Sequence, residues 1–146
     1  MRRGSARRQV LIAVSADRVW ALVSRPELIH LWFPGMVACQ VDGDQRVITL
    51  ASGIPLVETI INNDPTQRRF QYRLNGGIFS EHLGTIDVHE IEPGRSLVVY
   101  SSDVSPAAMS LVLGGATQGA LQELRRQLEA GEGPALGALA RPVTEA

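Results

Sequence analysis

Between residues 36 and 104 apolar and polar positions alternate with a period of two, and on either side of that block they recur at helical spacing. The alternating block divides into candidate strands at 37–42, 45–51, 54–62, 67–74, 80–91 and 96–104. Turn chemistry separates them: Asp42-Gly43-Asp44, Ser52-Gly53, Asn62-Asn63-Asp64-Pro65, Asn75-Gly76-Gly77 and Glu92-Pro93-Gly94. Consecutive strands joined by short turns imply an antiparallel meander. Ahead of it, Gln9–Val14 reads as a first strand. Ser15 stands at an N-cap position, and Ala16, Val19, Trp20 and Val23 share one helical face. Pro26 ends that helix and opens a second short one that runs to about Leu31. After the meander, Ser105-Pro106 supplies an N-cap and an N1 proline for a long helix to about Ala130. Leu113, Ala116, Ala120, Leu124 and Leu128 mark its apolar face. Gly114, Gly115 and Gly119 interrupt it, which implies either a close approach or bend, or no packing reason at all.

A curved antiparallel sheet must bury one face, and one long helix can cover it. The expected fold is α+β: about seven antiparallel strands wrapped around a C-terminal helix, with a cavity between the two and short helices after the first strand. Residues 1–130 form the expected domain. Residues 131–146, rich in Gly, Pro and Ala without a clear period, read as a flexible tail.

Composition narrows the function. The net charge of −1 disfavours a general electrostatic grip on nucleic acid. The basic run Arg2, Arg3, Arg7 and Arg8 reads as a solvated, frayed end. The apolar stretch after it is too short for a signal sequence, and no segment is long enough to span a membrane. One cysteine, Cys39, excludes an intrachain disulfide and a cysteine-based zinc site, and fits a cytoplasmic location.

Strand phase nominates the residues of a pocket. Phe70, Tyr72 and Leu74 share one face of their strand, which must be inward; His82 shares a phase with Gly84, Ile86 and Val88. His89 falls on the opposite face, so the two histidines cannot form a metal pair, and no metal constellation is visible. If Ala51-Ser52-Gly53 is a three-residue hairpin loop, Arg46 stands opposite Glu58 and both point inward as an ion pair. In 96–104 neither phase stands out, but the odd separation of Tyr100 and Asp103 keeps them on opposite faces.

Both tryptophans lie in 15–35, SADRVWALVSRPELIHLWFPG. Trp20 reads as core. Trp32, with Phe33 beside it, follows the proline-made corner and reads as a wall at the cavity mouth.

In their order along the chain, these features resemble the polyketide cyclase/dehydratase and lipid-transport superfamily, START-related and Bet v 1-like. The matching residues are Ser15 to Trp20 with Pro26 and Trp32, then Arg46, Gly53 and Glu58, then Arg69 and Tyr72, then His82 and Gly84, and the terminal amphipathic helix. The resemblance covers about residues 7–130. It implies a helix-grip fold with a deep pocket for an apolar or aromatic small molecule. No cofactor is expected, and the protein is expected to be a monomer or homodimer. It does not imply a reaction. On a binding reading Trp32, Phe33, Phe70 and Tyr72 supply wall, and Arg46, Glu58, Tyr72 and His82 orient the ligand. Each has a plainer role beside it: core packing for Tyr72, a hydrogen-bonded core histidine for His82, a structural pair for Arg46 and Glu58. The alternatives are an enzyme that uses Glu58 and His82 as acid and base, and a regulatory protein whose surface binds a partner.

Overall fold

In the computed structural model, which describes residues 2–141, the chain runs β1 (Gly4–Ile12), α1 (Ala16–Val23), a 3-10 helix (Pro26–Leu31), β2 (Met36–Asp42), β3 (Gln45–Leu50), β4 (Pro55–Asp64), β5 (Arg69–Leu74), β6 (Glu81–Glu92), β7 (Arg95–Ser105), α2 (Met109–Ala130) and α3 (Pro134–Ala140). The strands form one seven-stranded antiparallel sheet in the order β1-β7-β6-β5-β4-β3-β2. The meander is therefore continuous from β2 to β7, and β1 closes the sheet beside β7. Helix α2 packs on β1 and β7 and buries Leu121, Leu124 and Leu128 against the sheet. The expected helix-grip architecture is present.

The local signals act where they were expected at the first corner. Ser15 Oγ accepts the Arg18 N–H at 3.3 Å, which satisfies one of the free donors at the start of α1. Pro26 opens the 3-10 helix, whose missing N–H costs nothing at that position.

Three expectations are corrected. The basic N-terminus is not frayed: β1 starts at Gly4, and Gly4 to Ile12 pair along β7 from Val104 to Ser96. It stops short of the expected end at Val14. Its polar surface hid its period, because β1 is an edge strand with Arg7, Arg8 and Gln9 exposed. Ser105 is the last residue of β7 rather than a helix cap, and α2 starts at Met109. The segment after Ala130 is not loose throughout. Helix α3 buries Ala135 and packs on the 3-10 helix. Gln127 fixes this junction. Its Nε2 donates to Leu31 O at 2.9 Å, and its Oε1 accepts the Ala135 N–H at 2.9 Å. The rest of the expected tail, 142–146, lies outside the described residues.

The glycines of α2 separate into kinds. A Cβ on Gly114 would stand 2.8 Å from Arg8 Nη2, so this glycine admits the side chain of a neighbouring strand. Gly115 and Gly119 face open space. Gly115→Ala and Gly119→Ala are each expected to stabilise the protein by about 0.5–1 kcal/mol, since alanine removes the entropy cost of glycine in a helix without a clash. Urea denaturation of each variant checks this, and an unchanged or lower midpoint would contradict it.

Candidate functional site

The register of β3 and β4 places Arg46 directly opposite Glu58. The connection is the expected three-residue loop, with Leu50 N–H donating to Ile54 O at 2.9 Å. Arg46 Nε donates to Glu58 Oε1 at 2.7 Å, and the side chains are only 1% and 3% exposed. Arg46 Nη1 donates to Pro26 O at 3.1 Å and so ties the pair to the proline-made corner. The guanidinium carbon lies 4.9 Å from the centroid of the Tyr72 ring and 5.3 Å from that of Phe70. Burial pushes the Glu58 carboxyl above the usual carboxylate range, with Arg46 acting against the shift.

A second polar group crosses the sheet. Tyr72, Gly84 and Ser102 are register partners across β5, β6 and β7. Because Gly84 has no side chain, the Tyr72 ring lies over β6 and its hydroxyl bonds that of Tyr100. A Cβ on Gly84 would stand 2.4 Å from the ring carbon Cζ. Burial raises both phenols well beyond their ordinary range, so both stay neutral at physiological pH. Gly84→Ala must displace the ring and break the hydroxyl pair, so a loss of about 1–3 kcal/mol is expected, as for other overpacked cores. Thermal unfolding checks this. Tyr72→Phe, which loses only the hydroxyl, should lose less.

His82 sits beside Tyr72 with ring centroids 5.5 Å apart, and Phe79 packs on it at 5.4 Å. Its Nδ1 accepts the Leu74 N–H at 3.0 Å, so the neutral ring carries its proton on Nε2. Burial lowers its pKa to about 4. His89, as expected, is on the exposed face.

These groups border a cavity of about 390 Å³ between the sheet and the start of α2. Phe33 and Met36 wall it at the corner, Leu50, Leu56 and Leu74 on the sheet, and Leu113 and Ala116 on α2. Polar groups reach it from Glu58, Tyr72, His82, Ser102 and Thr117. Of the residues nominated from the sequence, Phe33, Glu58, Tyr72 and His82 therefore meet at one cavity. Trp32, Arg46 and Phe70 do not line it. Trp32 is corrected from a wall at the cavity mouth to core: it is 2% exposed, and its ring packs on Phe33 and Tyr100 at 6.2 and 6.5 Å. The turn after the 3-10 helix delivers Phe33, not Trp32, to the cavity. Arg46 and Phe70 are fully buried and support the cavity-facing groups.

The sequence did not nominate Tyr100, Ser102 or Thr117. In β7 the inward residues are Ser96, Val98, Tyr100, Ser102 and Val104, and their alternating serines mask the phase. Register opposite the readable phase of β6 was the available signal, since Ile86 pairs with Tyr100 and Gly84 with Ser102. Among the described residues no three His, Cys, Asp or Glu side chains are grouped to hold a metal ion, and no helix is long and apolar enough to cross a membrane.

The comparisons with known proteins agree with this geometry. Residues 3–130 match the family model described as polyketide cyclase / dehydrase and lipid transport. The chain belongs to this family. No curated protein matches it. Among solved structures, XoxI from Bacillus cereus superposes with a TM-score of 0.78 at 20% identity, over 86% of this chain and 95% of that one. The di-domain ARO/CYC BexL, from the BE-7585A biosynthetic pathway, gives 0.75 at 19% identity, over 88% of this chain and 47% of its own. Norcoclaurine synthase from Thalictrum flavum, in complex with dopamine and hydroxybenzaldehyde, gives 0.68 at 20% identity, over 85% of each chain. At these identities the likeness establishes the fold.

Proposed function

We propose that this family member binds an apolar or aromatic small molecule in the cavity between the sheet and α2, oriented by Glu58, Tyr72 and His82. The observation that carries the reading is the cavity itself. At about 390 Å³ it falls within the usual range of small-molecule sites, roughly 300–1,000 Å³. Its wall is apolar with a few convergent polar groups, the usual pattern for such sites. Norcoclaurine synthase, of the same fold, is known in complex with two small aromatic molecules, which is consistent with the reading.

The test is to fill the space. Ala116 lines the cavity from an exposed helical position, so a larger side chain there need not disturb the core. N-phenyl-1-naphthylamine, a neutral apolar fluorophore, is expected to bind the wild type and to lose at least tenfold in affinity to Ala116→Trp, with the unfolding midpoint little changed. Failure of the wild type to bind this or any co-purifying apolar molecule, in fluorescence titration and native mass spectrometry, would refute it.

One observation favours a second reading, a cyclase- or dehydratase-type enzyme: Glu58 and His82 border the same cavity. His82 is neutral at pH 7, and with Nδ1 held by the Leu74 N–H it offers Nε2–H as the proton donor, which leaves Glu58 as the group that takes a proton. Turnover of a polyketide-like substrate, lost in His82→Asn with binding retained, would establish it.

A further inference from the structure

We infer that the polar end of the ligand is a neutral hydroxyl that donates its hydrogen to Glu58 Oε2. This rests on the binding reading above and specifies the ligand for the same cavity. Glu58 lines the cavity, and its Oε1 is taken by Arg46 Nε at 2.7 Å. Among the described residues Oε2 accepts no hydrogen bond. Nor is it sealed in protein: the sealed side-chain atoms without a partner are His30 Nδ1, Trp32 Nε1, Arg46 Nη2 and Ser96 Oγ. Oε2 is therefore an acceptor that opens on the cavity, and what it lacks is a donor.

Charge decides the kind of donor. Glu58 is the one ionisable carboxyl among the cavity-lining residues, and no lysine or arginine is among them. Arg46, held against Glu58 at the rear, already compensates its charge. The two tyrosines and His82 are neutral at pH 7. A ligand ammonium would give the site an uncompensated positive charge, and a ligand carboxylate would meet Glu58 with no cation on the cavity wall. Either would be desolvated without repayment. A hydroxyl carries no such cost and completes the hydrogen bonding of the carboxylate.

The test uses small probes that share one ring system: naphthalene, 2-naphthol, 2-methoxynaphthalene, 2-naphthoate and 2-naphthylmethylammonium, titrated by calorimetry at pH 7. A hydrogen bond to a charged acceptor predicts that 2-naphthol binds about tenfold or more tighter than naphthalene. 2-Methoxynaphthalene keeps the oxygen but not the donor, so it should bind no better than naphthalene. Both charged probes should bind more weakly than 2-naphthol. The inference is overturned if 2-methoxynaphthalene matches 2-naphthol, if either charged probe binds tighter, or if naphthalene and 2-naphthol bind alike. Absence of binding by naphthalene and every other probe would instead bring down the binding reading itself. The double variant Arg46→Met/Glu58→Leu replaces the pair with apolar side chains; it should bind naphthalene and lose the preference for 2-naphthol. Should that variant fail to fold, the methoxy comparison on the wild type still decides the matter.

Discussion

Glu58→Leu is expected to destabilise the protein by about 3–5 kcal/mol, the cost of leaving a buried charge without its partner. Arg46 is 1% exposed, and a guanidinium cannot shed its proton to escape the low-polarity interior. Arg46→Met should cost less. The carboxyl it leaves behind borders the cavity and is already pushed upward by burial, so it can be protonated instead. The double variant should recover most of the loss, because two apolar side chains replace two ions that were costly to desolvate. Recovery will not be complete, because Pro26 O loses its bond from Arg46 Nη1. Urea denaturation followed by the fluorescence of Trp20 and Trp32 measures all three variants. Single variants within about 1 kcal/mol of the wild type would show that water reaches the pair and that it is not a buried ion pair in solution. The ordering matters to function as well. If the pair costs stability, its retention is explained by what Glu58 presents to the cavity.

How far the sequence revealed this arrangement depends on which signal carried each residue. Arg46 and Glu58 were legible because a hairpin loop of three residues fixes register, and register fixes face. Tyr72 and His82 were legible because β5 and the start of β6 alternate cleanly between faces. Tyr100 was not, because serines occupy inward positions of β7 on both sides of it. Ser102 is tolerated there because it borders the cavity; nothing in the structure explains the buried Ser96 hydroxyl. Trp32 was assigned to the wrong neighbourhood for a different reason. A proline-made corner predicts where the chain turns, but not which of two adjacent rings the turn directs inward. The same limit applied at α3, whose order depends on Gln127, a polar side chain that no hydrophobic period reveals. What remained illegible was thus what depends on contacts between elements distant in sequence.

Lowering the pH from 7 to about 4 is expected to remove about 3 kcal/mol of stability through His82 alone. The ring has a pKa of about 4 in the folded protein and about 6.5 when unfolded. Between those values the unfolded chain binds a proton that the folded protein does not, so stability rises with pH. The contribution is fully present above about pH 6.5 and is lost as the pH falls towards 4. Its cause is burial between Tyr72 and Phe79 with Nδ1 engaged by the Leu74 N–H, so protonating the ring means breaking that bond. The charged neighbours are few. Glu58 borders the same cavity, while Arg3, Arg73, Glu81 and Asp103 border a more polar recess that His82 also lines, in numbers that balance. Glu58 acts with the opposite sign: its raised carboxyl keeps its proton longer in the folded state, which favours the folded protein as pH falls. The wild-type profile therefore combines the two, and a variant must isolate the histidine. His82→Asn keeps an acceptor for the Leu74 N–H and does not titrate. The difference in unfolding free energy between it and the wild type should change by about 3 kcal/mol between pH 7 and pH 4. A parallel pair of profiles would mean that the ring protonates freely in the folded state. His82 would then be charged in mildly acidic solution, and the cavity would present a cation beside Tyr72 instead of the neutral Nε2 donor that the geometry at pH 7 requires.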